Sequence, residues 1–60
     1  MKLVSESKVR KVFMQQGIEF DRAHILAMTV VNLFLDDKND HLDLDIVVSQ
    51  LIERELVKTV

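Results

Sequence analysis

The sequence predicts an all-α fold of three short helices, and three observations carry that reading. Sixty residues contain no proline and a single glycine, so almost nothing forces a helix to break. Leu, Met, Ala, Glu, Gln, Lys and Arg, which lose little side-chain freedom in a helix, are abundant, although the many valines would also suit strands. Turn signals fall in two places only, Gln16-Gly17 and the stretch from Asp36 to Asp45. Two breaks divide the chain into helices over about 5–16, 22–36 and 43–57 of one domain, residues 1–60.

The first helix starts at Ser5 or Ser7, whose hydroxyl can accept a hydrogen bond from an orphan backbone N–H. It stops at Gly17, the residue best suited to a left-handed C-terminal turn. Val9, Val12, Phe13 and Gln16 share one face at helical spacing. Lys8, Arg10 and Lys11 lie on the polar side without forming one stripe, since successive residues are turned about 100° apart.

The second helix is apolar over most of its circumference. Asp21 can cap it, and Ala23, Ile25, Leu26, Ala27, Met28, Val30, Val31, Leu33, Phe34 and Leu35 follow. Arg22, Thr29, Asn32 and Asp36 alone line up as a polar strip. Two thinner helices of the same chain can cover only part of such an element. A second copy or a partner protein is expected to cover the rest.

The third helix is capped by Asp43 or Asp45 and buries Leu44, Val47, Val48, Leu51, Ile52 and Leu56, with Glu53, Arg54, Glu55 and Lys58 on its solvated side. The segment His41 to Ile46 alternates apolar and polar residues and could be a short strand, but it has no clear strand partner. Pairing of Lys2-Leu3-Val4 with the tail from Val57 to Val60 is a weaker alternative of the same kind.

Size and composition narrow the function. A chain this short buries only about 60% of the surface its unfolded form exposes, leaving little stability to support a deep cleft. No enzyme activity is expected: none of Ser5, Ser7, Thr29, Ser49 and Thr59 sits in a nucleophile elbow, and one glycine cannot build a phosphate loop. With no cysteine, disulfides and thiolate metal sites are excluded. The acidic stretch fails as a calcium loop. It lacks the central glycine, and its twelfth position falls on Val47 or Val48 where a glutamate is needed. His24 and His41, without cysteine partners, do not call for a metal, so no cofactor is expected. The apolar run from Ala23 to Leu35 is far shorter than the roughly twenty residues that span a bilayer. The N-terminal residues form no signal core, which points to a cytoplasmic protein.

A positive mean hydropathy, +0.13, in so small a chain points to binding. The expected function is a non-enzymatic regulatory module that pairs as a homodimer and then meets a larger protein. Phe13, Met28, Val30, Val31, Phe34, Leu35, Leu51 and Ile52 are the candidate interface, because large apolar anchors dominate such contacts. A second candidate surface is acidic: Asp36, Asp37, Asp40, Asp43 and Asp45, with Glu53 and Glu55. The rival reading is a dimeric nucleic-acid-associated regulator touching phosphates through Lys8, Arg10, Lys11 and Arg22, on the half of the chain that carries net +2 against −4 on the other. Overall acidity, net −2, and the lack of a recognition helix argue against it.

Overall fold

The computed structural model describes residues 2–58. The chain forms three α-helices in order, α1 (Glu6–Gln15), α2 (Phe20–Leu35) and α3 (Leu44–Lys58), with one turn of 3-10 helix over Asp37–Asn39 between the last two. No strand forms among the described residues, so the alternation at 41–46 belongs to the approach to α3 and Lys2 to Val4 pair with no strand. The alternative that paired them with the tail lies partly outside the described residues, at Thr59 and Val60.

Local signals set most of the boundaries. Ser5 is the N-cap of α1, its backbone extended and its side chain accepting from the Lys8 N–H. Gly17 ends the helix at φ +91°. The Gly17 N–H donates to Met14 O and the Ile18 N–H to Phe13 O, the paired bonds of a Schellman turn, and Ile18 then packs back on the core. Only a residue without Cβ holds that φ cheaply.

Asp21 does not cap α2. The helix begins one residue before it, at Phe20, with Glu19 in the N-cap position and making no side-chain cap bond. Asp21 lies in the first turn instead, where a carboxylate still complements the helix dipole. The physical reason for the earlier start is visible at Phe20, whose ring lies under the Arg10 guanidinium, 4.7 Å from its carbon to the ring centroid. At the other end Asn39 Nδ2 donates to Leu33 O at 2.8 Å, satisfying one carbonyl of the last turn. Asp36 Oδ1 accepts from the Lys38 N–H and starts the 3-10 turn. Asp43 does the same for α3, its Oδ1 accepting from the N–H groups of Asp45 and Ile46.

The core is built mostly by the α1/α2 hairpin. Val9 and Phe13 of α1 meet Ala23, Leu26, Ala27, Val30 and Phe34 of α2, and α3 contributes one buried residue, Val48. Two alanines at zero exposure let the hairpin helices approach closely, and the rings of Phe13 and Phe34 fill the space on either side. Val4, Leu33, Leu42, Leu44, Val47, Leu51 and Ile52 are half-buried around this centre. Lys2 closes one end, its ammonium donating to Leu42 O and lying 5.1 Å from the centroid of the Phe34 ring. The result is an elongated body of 34 × 19 × 14 Å in which α3 is the least covered helix.

Candidate protein-interaction surface

Among the described residues, exposed apolar side chains occur on α3 at Ile46, Leu56 and Val57, and two open apolar surfaces lie on or beside the α1/α2 hairpin. The first is a groove of about 400 Å³ between α1 and α3. Val9 and Val12 form one wall, Leu44, Val48 and Ile52 the other, and Lys8, Gln16, Asp45 and Ser49 stand at the rim. It exists because α1 packs chiefly on α2, leaving α3 to close only part of the apolar side of α1.

The second is the outer face of α2. Successive residues turn by about 100°, so Ile25, Met28 and Leu35 point away from the buried row of Ala23, Leu26, Val30 and Phe34. Their exposures are 54%, 37% and 54%. Asn32 shares this face, and Thr29 beside it is held by a hydrogen bond from its hydroxyl to Ile25 O at 2.9 Å.

The interface anticipated from the sequence therefore divides. Phe13, Val30 and Phe34 are at zero exposure within their own chain and cannot be offered to a partner in this fold. They correct the expectation for a simple reason: the chain uses its largest apolar side chains on itself first. Val31, Leu51 and Ile52 are half-buried, and Ile52 reaches the groove. Met28 and Leu35 remain available on the outer face of α2. Ile25 was not among the candidates and is as exposed as Leu35; its place three residues before Met28 and ten before Leu35 is the signal that finds it.

The charged candidates divide similarly. Arg10 Nη1 donates to both oxygens of Glu6, at 2.8 and 2.9 Å, the two residues being one helical turn apart. His24 Nδ1 lies 2.6 Å from Glu6 Oε1, tying α2 to the same carboxylate. Arg22 grips Glu55 across 33 positions of sequence, with Nε and Nη2 at 3.1 and 2.6 Å from its two oxygens, and Lys58 stands 3.5 Å from the same group. Of the four cations suggested for phosphate contact, Arg10 and Arg22 are thus engaged inside the chain, while Lys8 and Lys11 are exposed. Among the acids, Asp36 and Asp43 serve as caps, Asp40 is half-buried, and Asp37 and Asp45 are exposed, Asp45 at the groove rim. Among the described residues no three His, Asp or Glu side chains converge as a set of metal ligands. No helix among them is long and apolar enough to cross a membrane.

These pairs shift two carboxyl groups. The His24 hydrogen bond is the main cause that holds Glu6 below its ordinary range; burial opposes it, and the charge and hydrogen bonds of Arg10 add to the lowering. Glu55 is lowered chiefly by its hydrogen bond from Arg22, against burial and with help from the charges of Arg22 and Lys58. A carboxyl whose folded value is depressed stabilises the fold above its unfolded value, near 4.5, and that contribution disappears as pH falls through the folded value. Urea unfolding midpoints should therefore fall as pH drops from 6 to about 3. In a Glu6→Gln variant the midpoint should be lower at pH 6 and the two curves should converge in acid. Parallel curves would show that the Glu6 cluster contributes nothing.

Compared with known proteins, the chain matches no family model, and no curated protein and no solved structure gives a significant match. The functional reading therefore rests on the geometry alone.

Proposed function

We propose that this chain is a non-enzymatic protein-interaction module that pairs with a second copy of itself and then engages a larger protein partner. One observation carries the reading: α2 buries one face in a complete intrachain core and still exposes Ile25, Met28 and Leu35 on the opposite face. A surface helix of a monomer ordinarily presents polar residues there. Covering these side chains would return about 25 cal/mol for each Å² removed from water. The α1/α3 groove, with Asp45 at its rim, then offers a separate surface to a second partner.

The nucleic-acid reading is weaker than its four candidate cations suggest, because Glu6 holds Arg10 and Glu55 takes the Nε and Nη2 donors of Arg22, leaving only Nη1 of that residue for another anion. Lys8 and Lys11 alone make a small phosphate footprint.

Solution mass by light scattering, followed over a hundredfold dilution with circular dichroism alongside, tests the proposal. A helical species near twice 7.0 kDa that dissociates on dilution is expected. A folded species that stays at 7.0 kDa throughout would remove the homodimer.

A further inference from the structure

We infer that the second copy docks on the outer face of α2 with the two α2 helices antiparallel, Ile25 of each facing Leu35 of the other. This rests on the self-pairing proposed above and specifies its surface, direction and register. Ile25, Met28, Asn32 and Leu35 are spaced three, four and three apart, the a/d spacing of a two-heptad coiled-coil seam. In the antiparallel register a positions meet d positions, so Ile25 opposes Leu35 and Met28 opposes Asn32.

Charge decides the direction. Arg22, Thr29 and Asp36 follow one another at intervals of seven along one flank of that seam. Antiparallel pairing brings this flank against its own copy in reverse, so Arg22 of each chain stands by Asp36 of the other and Thr29 lies at the two-fold axis. The groups are equipped for it. Arg22 uses Nε and Nη2 on Glu55, leaving Nη1 to donate, and Asp36 uses Oδ1 on the Lys38 N–H, leaving Oδ2 to accept. Thr29 already donates to Ile25 O, so covering it strands no hydroxyl. A parallel pair would place Asp21 against Asp21 in the seam itself, one heptad before Met28, and align both helix dipoles. It would gain an Asn32 to Asn32 contact but forfeit both Arg22 to Asp36 pairs.

The chain has no cysteine, so single introduced thiols read the register directly. Ile25→Cys and Leu35→Cys replace exposed side chains and leave the core intact, which circular dichroism confirms before use. In a glutathione redox buffer, each variant alone should stay largely unlinked, while the two mixed should form a disulfide-linked pair. Self-linking of either variant alone would mean a parallel seam and overturn the inference. A dimer by mass that gives no link in the mixture would place the interface elsewhere, overturning the register while leaving the self-pairing proposal standing. A monomer at all concentrations would overturn both. As an independent check of direction, Asp36→Asn keeps one oxygen for the cap and replaces the charged acceptor Oδ2 with a neutral NH2 group; it should weaken dimerisation about fivefold at low salt and have little effect at high salt. No change at low salt would contradict the charge argument.

Discussion

A Phe34→Asp chain is expected to lose its helical circular dichroism signal and show no cooperative thermal transition. Phe34 is at zero exposure, with Lys2 against its ring, in the centre of the only apolar cluster among the described residues that reaches all three helices. Truncating a buried Phe costs about 3–5 kcal/mol in transfer and cavity terms. An aspartate there also buries a carboxylate with no partner, which costs more again or forces it to stay protonated. A core in a chain of this size rarely supplies more than about 3–5 kcal/mol of net stability. The loss therefore equals or exceeds what is available. Phe34→Leu, which nearly preserves volume and polarity, should cost under about 1.5 kcal/mol and leave a folded, less stable chain. A folded Phe34→Asp protein would show that the core is looser than its packing indicates, and the assignment of Phe34 to the intrachain side of α2 would fall.

That assignment marks where the sequence stops being informative. Three helices and two breaks were legible because their causes are local: Ser5 caps within four residues, Gly17 supplies a left-handed turn, and Asp43 reaches the second and third N–H groups after it. The Glu6 to Arg10 pair is just as local, one turn apart, yet the sequence alone sets Arg10 among the phosphate candidates instead. Periodicity only partly resolves α2, because its polar strip is narrow and the apolar residues flanking it look like those of the core. Phe34 and Leu35 are adjacent and equally apolar in the sequence, yet one is at zero exposure and the other at 54%. What breaks the tie is tertiary. Ala23 and Ala27, two small residues on one side, mark where α1 can approach closely, and the large side chains on the far side of the helix are left outside. The earlier start of α2 has a similar origin, since the stacking of Phe20 on Arg10 joins residues from two helices and no window of sequence contains its energy. The Arg22 to Glu55 pair, which diverts a cation from the phosphate reading, spans most of the chain.

The neighbouring residue should behave in the opposite way to Phe34. A Leu35→Lys chain is expected to keep full helicity and to run as a monomer at concentrations where the unmodified chain is dimeric. Leu35 is the last residue of α2, where a cation complements the helix dipole, so the substitution should not weaken the helix. Its side chain lies outside the intrachain core, so no cavity forms. In a two-fold dimer every substitution acts twice. Leu35 is 54% exposed, so docking can bury only about half of it, worth about 1 kcal/mol, and losing it in two copies removes about 2 kcal/mol, before the cost of desolvating two ammonium groups is added. A loss of that size weakens dimerisation by at least about 30-fold. Ile46→Lys is the matched control, because Ile46 is 57% exposed on α3, away from the proposed seam. It carries the same change in polarity and charge and should leave the mass unchanged. If Leu35→Lys remains dimeric while Ile46→Lys becomes monomeric, the self-pairing surface belongs to α3. If only Leu35→Lys dissociates, the apolar excess of α2 is an interface built on the far side of a core that was already complete.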